Sequence, residues 1–276
     1  MTPRALTIAG SDVSGGAGIE ADLKMFQESG VFGTAVLTCI VTFDPENDFG
    51  HALDFMEPDT VQRQLDSTLA VHRFDVLKSG MLGSVESALV LAERLRTNEL
   101  PYVFDPVLVC KGAGTMVDLK DLFVENLVPL AHVITPNLEE AATLTGADAL
   151  TSVDEMAEAA RAIHAQGATN VVIKGGARLA GDEAIDVLFD GETLTTFSSP
   201  KIEEHLVNGA GCSFASTVAA EIAHGRPVAD AVANAKQRIT RGIATSLDNA
   251  IGVDSLFFGG PRDGDAGLPE MTRQTR

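Results

Sequence analysis

The chain has 276 residues, 45% of them apolar, with a formal net charge of −19, no Trp and one Tyr. That length admits one large α/β domain or two small ones, and the charge disfavours nucleic acid and anionic membranes, both polyanions, as partners. No apolar run is long enough to span a bilayer, "MTPRALTIAG" has no signal-like apolar region, and three cysteines argue against a disulfide framework and for a cytoplasmic protein.

Strand and helix patterns alternate along the chain. "RALTIAG" reads as a buried strand, and "GIEADLKMFQESG" as a helix with Ile19, Leu23 and Phe26 on one face and a stop at Gly30. "TAVLTCIVTF" is a β-branched strand that holds Cys39 as an inert core thiol. "PDTVQRQLDSTLA" starts a helix at Pro58, with Val61, Leu65 and Leu69 four apart. "FDVLKSG" is the next strand, residues 84–97 the next helix, and "YVFDP" the strand after it. A helix over 118–127, a strand at "HVITP" and helices over 137–146 and 152–166 follow. "NVVIKGG" is a strand, and "AIDVLFDGETLTTFSS" a hairpin turned at Asp190-Gly191. Ala-rich helices over 210–224 and 227–247 close a single domain of residues 1–255. The Gly/Pro-rich stretch 256–276 reads as a flexible tail. The expectation is one doubly wound, mostly parallel sheet with helices on both faces and a small antiparallel hairpin.

In such a sheet, ligands bind at the carboxyl ends of the strands. "NGAGCSF" there offers Gly209, Ala210 and Gly211 as free backbone N–H donors at a helix start, where the macrodipole favours an anion. Cys212 lies in the first turn, where the helix terminus is expected to lower its thiol pKa towards the range of a general base. In "DPVLVCKGAG", Asp105 is a candidate oxygen ligand for Mg²⁺ or a turn cap, and Cys110 sits at the root of a Gly-rich loop. Asn137 and Glu140 of "TPNLEEA" share a helix face and also fit a capping box. Only seven of the twenty basic residues are Lys, so Lys174 before Gly175 and Gly176 is telling; it reaches a phosphate or snorkels. "GSDVSGGAG" lacks the Lys-Ser/Thr of a Walker loop, and Gly16-Ala17-Gly18 with Ala21 is a weak dinucleotide pattern too far from its strand.

Taken in order, "TIAGSDVSGGAGIEADLKMF", "SGMLGS", "DPVLV", "TPNLEEA", "VIKGG" and "NGAGCSFAS" resemble the ribokinase-like vitamin kinases over roughly residues 4–250. The resemblance implies ATP- and Mg²⁺-dependent phosphorylation of a hydroxymethyl group, with small-molecule partners and a homodimer. It implies Cys212 as base where other superfamily members place Asp. Gly209, Ala210 and Gly211 would form the anion hole. Asn137, Lys174, Gly175, Gly176, Asp186 and Gly211 would meet ATP, and Glu140 and Asp105 the metal. The substrate contacts it implies are Gly10, Ser11, His51, Met81, Val107 and Cys110.

Two branches of the family are close to this pattern, the hydroxymethylpyrimidine (phosphate) kinases and the pyridoxal kinases that look like them. The former usually carry a small residue at the Cys110 position and Gln or Glu near Phe43. The second cysteine and the apolar Phe43 resemble the dual-cysteine pyridoxal kinases, and imply that Cys110 captures the pyridoxal aldehyde. Pyridoxal kinase is therefore the expected activity, with the thiamine-pathway kinase as the alternative. A non-catalytic vitamin carrier or thiol sensor is the reading from another class.

Overall fold

The computed structural model describes residues 1–108, 119–202, 207–258 and 271–275. The strands are β1 (Arg4–Asp12), β2 (Phe32–Asp44), β3 (Gly50–Phe55), β4 (Val76–Ser79), β5 (Tyr102–Phe104), β6 (Val133–Ile134), β7 (Asn170–Lys174), β8 (Glu183–Phe189), β9 (Leu194–Pro200) and β10 (Thr272–Thr275). They form one sheet in the order β10-β9-β8-β7-β6-β5-β4-β1-β2-β3. Pairing is parallel from β2 through β1, β4, β5 and β6 to β7, and antiparallel at both flanks. The helices are α1 (Gly18–Glu28), α2 (Pro58–Val71), α3 (Val85–Arg96), α4 (Lys120–Asn126), α5 (Leu138–Thr145), α6 (Val153–Ala165), α7 (Ala210–Ala223) and α8 (Val228–Ala244).

The central strands are short apolar runs because both their faces are covered. On β5, Tyr102 and Phe104 face one core and Val103 the other; on β7, Val171 and Ile173 oppose Val172. The first core packs under α2 to α6, the second under α1, α7 and α8. Full burial of each such side chain contributes about 1.5–3 kcal/mol, so the two-sided sheet is the main stabilising unit. Helix starts are locally encoded. Ser152 and Glu155 form a capping box at α6, and the Ser84 hydroxyl accepts the Ser87 N–H at α3. At the β8–β9 turn the Asp190 carboxylate accepts the N–H groups of Glu192 and Thr193, which holds its pKa below the usual range.

Two elements were not foreseen. The edge strand β3 pairs antiparallel with β2. Part of the stretch read as a tail belongs to the folded body: Leu256 is buried, Phe258 lies against Gly242, and β10 pairs with β9. β10 covers an otherwise open sheet edge, anchored where Arg273 lies 5.7 Å over Phe197 and pairs with Asp230 at 3.0 Å. Among the described residues, no helix is long and apolar enough to cross a membrane.

Candidate active site

The carboxyl ends of β1, β4, β5, β6 and β7 and the start of α7 open onto one cleft of about 550 Å³. Gly10, His51, Met81, Asp105, Val107, Asn137, Glu140, Lys174, Gly175, Gly176, Asp186, Gly209, Ala210, Gly211 and Cys212 all line it. Residues as far apart in sequence as Gly10 and Cys212 thus share one wall, as the sheet topology requires.

The start of α7 is shaped as an anion receptor. Gly209 is its N-cap with φ +80°, and a Cβ there would overlap the carbonyl oxygen of Gly16. Only glycine satisfies both demands. Gly209 brings no capping side chain and no acid stands in the first turn, so the first N–H groups are open to an anion from the cleft. The Lys174 ammonium lies 3.3 Å from the point a Cβ on Gly211 would occupy, and pairs with Asp105 at 2.9 Å. Helix terminus and ammonium together make a strong site for a multiply charged phosphate.

Behind this site, Asn137 and Glu140 form a reciprocal capping box. Asn137 Oδ1 accepts the N–H groups of Glu139 (2.9 Å) and Glu140 (3.0 Å), and Glu140 Oε2 accepts the Asn137 N–H (2.8 Å). Capping and a place on the cleft wall are therefore both true of this pair. Burial pushes the Glu140 carboxyl up to about 7, helped by the negative charge of Asp105 and opposed by Lys174.

That shift makes a prediction about the metal-free protein. An acid raised in the folded state gives its full stabilisation below its ordinary value of 4.5, and loses it as pH rises through about 7. Glu140→Gln keeps the capping box but removes the buried charge, worth about 1–3 kcal/mol. The melting temperature in chelator should therefore rise by about 2–6 °C at pH 8 and stay near wild type at pH 5. An equal shift at both pH values would assign Glu140 to capping alone.

The same carboxylates test the fit of a divalent cation. Asp105 raises the Glu140 carboxyl while Lys174, paired with Asp105 at 2.9 Å, lowers it, so two carboxylates share one ammonium, an excess of negative charge that a divalent ion would relieve. Among the described residues no group of three or more His, Cys, Asp or Glu forms a self-contained metal cage. Two carboxylates completed by substrate phosphates is the arrangement Mg²⁺ favours, so the donor set fits.

Asp186 acts on the Gly175–Gly176 loop through the backbone. Its Oδ1 accepts the Gly175 N–H at 3.1 Å, and its Oδ2 pairs with buried Lys236 at 2.8 Å. At the other end of the cleft, Gly10 leaves room for Cys39 Sγ, which would stand 2.6 Å from a Cβ at residue 10. Phe43 and His51 meet edge to face at 4.8 Å, and the buried Nδ1 of His51 has no hydrogen-bond partner among the described residues. Ser11 departs from expectation. Its hydroxyl donates to Glu20 at 2.6 Å, and it does not line the cleft. Cys110 lies in 109–118, outside the described residues.

Cys212 occupies the expected place but not the expected ionisation. Burial pushes its thiol up to about 11; the Lys78 cation and the facing Gly18 N–H pull it down, while Asp105 and Asp22 push it up. The expected low thiol is not found, because desolvation and two carboxylates outweigh the favourable Lys78 cation and Gly18 N–H. Sequence reasoning also missed Lys78, Asp22 and Lys236, all buried. A lysine in the apolar strand "DVLKSG" was the available signal for the first.

Comparison with known proteins places the chain in a family. The profile of the phosphomethylpyrimidine kinase family matches residues 12–255. The pyridoxine kinase of Bacillus subtilis is 46% identical over 247 residues, 88% of this chain and 91% of that protein. A hydroxymethylpyrimidine/phosphomethylpyrimidine kinase of Rhizobium meliloti is 39% identical over 249 residues, 89% and 92% of the two chains. The solved pyridoxal kinase of Staphylococcus aureus in complex with AMP-PCP and pyridoxal superposes with a TM-score of 0.91 at 32% identity, covering 100% of both chains. The chain therefore belongs to the phosphomethylpyrimidine kinase family, on the ribokinase-like fold, and is a kinase.

Proposed function

We propose that the chain transfers the terminal phosphoryl group of ATP to the 5′-hydroxymethyl group of pyridoxal, as a homodimer in the cytoplasm. The observation that supports it most is the placement of Cys212 in the first turn of the uncapped α7, in one cleft with Lys174 and with the unpartnered His51. In this reading the N–H groups at 209–211 and Lys174 hold the transferring phosphoryl group. Gly175 and Gly176 let the nucleotide approach the backbone. His51, Gly10, Met81 and Val107 position the pyridine ring, with Phe43 behind His51. Glu140 and Asp105 would hold Mg²⁺, which supplies neutralising charge to the phosphates. Phosphoryl transfer passes through a loose transition state, so most of the catalysis lies in positioning and electrostatics. The Cys212 thiolate takes the hydroxyl proton as the new oxygen–phosphorus bond forms and the bond from the γ-phosphorus to the departing ADP oxygen breaks.

Turnover of ATP with pyridoxal, pyridoxine, pyridoxamine and hydroxymethylpyrimidine in parallel tests the assignment. The family profile and the Rhizobium relative favour a second reading, hydroxymethylpyrimidine kinase, and higher kcat/KM on that pyrimidine would establish it. Light scattering in solution tests the dimer.

Cys110 gives a sharper discrimination. A thiolate adds reversibly to an aldehyde, which pyridoxal alone carries at C4′, so capture would orient its 5′-hydroxyl towards Cys212. Cys110→Ala should lower kcat/KM for pyridoxal about tenfold or more relative to pyridoxine, and abolish any absorbance change of pyridoxal on binding without ATP. Equal losses for all vitamers would leave Cys110 as packing.

A further inference from the structure

Beneath Cys212 lies an ion pair that no step above uses. Lys78 on β4 and Asp22 on α1 are each 0% exposed, and Lys78 Nζ stands 2.9 and 2.8 Å from the two carboxylate oxygens of Asp22. Asp22 also accepts the Thr7 hydroxyl of β1 at 2.5 Å and the Ser216 hydroxyl of α7. The cluster thus ties two strands and two helices at one point. Ser216 is four residues after Cys212 and so on the same helix face, one turn below it. α1, which carries Asp22, begins at Gly18, whose N–H faces the Cys212 sulfur. Lys78 itself reaches the cleft wall, and its Nζ is 3.1 Å from the point a Cβ on Gly80 would occupy.

A buried ion pair is a poor stabiliser, because desolving two charges cancels most of their attraction and apolar replacements are often as stable. Its position here points to another role. We propose that Lys78 and Asp22 are positioning residues for Cys212, with Lys78 holding a fixed positive charge beneath the thiol and Asp22 setting how much of that charge the thiol feels. Both act through Cys212 and touch no reacting atom. The charged groups that face the thiol are Lys78 from β4, Asp22 from α1, Asp105 after β5 and Lys174 at the end of β7. Of these, Lys78 is the larger stabiliser of negative charge on the sulfur, and Asp22 opposes it. The pair therefore supplies a net bias towards the thiolate.

The inference rests on Cys212 being the reacting thiol, but it can be read without turnover. The rate of iodoacetamide alkylation, followed on the Cys212 peptide by mass spectrometry from pH 8 to 11, reports thiolate character directly. Lys78→Met should slow that alkylation about tenfold at pH 9, and Asp22→Asn should speed it by the smaller factor of about three. The two halves of one pair would then act with opposite signs, whereas loosened packing moves both the same way. Either single variant leaves a buried unpaired charge and is exposed to unfolding, so the double variant Lys78→Met/Asp22→Asn carries the test on its own. With both charges gone and the fold retained by circular dichroism, alkylation should be about threefold slower, because the larger, favourable charge is lost with the smaller, unfavourable one. In folded variants, an unchanged or faster Cys212 in the double variant, or same-direction shifts in the two single ones, would overturn the proposal. Loss of turnover in Cys212→Ala bears on the base assignment alone, so the two failures are distinguishable.

Discussion

Cys212→Ala is expected to lower kcat by about 10²–10⁴, the usual contribution of a positioned general base, while ATP still binds. The raised thiol adds a pH signature. With the thiol near 11, only about 10⁻⁴ of it is thiolate at pH 7 in the free enzyme. Turnover limited by that fraction should climb as pH rises from 6 to 9, the direction in which the base form grows. Cys212→Asp introduces a carboxylate that is already ionised over that range, so a partly active Asp variant should show a flatter profile. Near-normal turnover of the Ala variant, measured with a coupled ADP assay, would remove Cys212 from the proton transfer.

The second large effect is steric. Gly209 and Gly225 have nearly the same backbone, φ +80° and +78°, but different surroundings. Nothing lies within 4 Å of a Cβ added at Gly225, whereas one at Gly209 would overlap the Gly16 carbonyl oxygen. Gly225→Ala should therefore carry only the left-handed penalty of roughly 1–2 kcal/mol, a fall of about 2–6 °C in Tm. Gly209→Ala adds displacement of either the β1–α1 loop or the α7 terminus. It should melt lower still and lose about 10²-fold in kcat, as expected when backbone donors to the transferring group move. If the two alanine variants match in Tm and both turn over normally, the α7 terminus is not a phosphate site.

Periodicity made most of the architecture legible. The alternating inward positions of β1, β5 and β7 and the capping boxes at Asn137 and Ser152 are written in neighbouring residues. β3 was hidden because "GHALDF" is an exposed edge strand whose alternation is weak, and β10 because "TRQT" gains its partners from β9 alone. At the site, the loops were legible through their glycines, while the charges beneath them were not. Lys78 reads as an ordinary strand lysine until Asp22, 56 residues away, is brought to it. The same gap reversed the expected sign at Cys212, since the helix terminus is local in sequence but the burial and the carboxylates are not. For a related reason, the strand does not reveal that Glu20 accepts the Ser11 hydroxyl.

The interlock between the first loop and the start of α7 also sets when the site can exist during synthesis. Asp12 accepts the Asn208 amide at 3.1 Å across 196 residues, and Gly209 can seat only against Gly16. At ribosomal rates of about 5–20 residues per second, the first loop waits some 10–40 s for its counterpart to be made. Until then β1 can pair with β2 and β4, but Asp12 has only local donors and the cleft wall at the start of α7 is missing. The parallel core is thus free to assemble first, and the cleft is completed only late in the making of the chain.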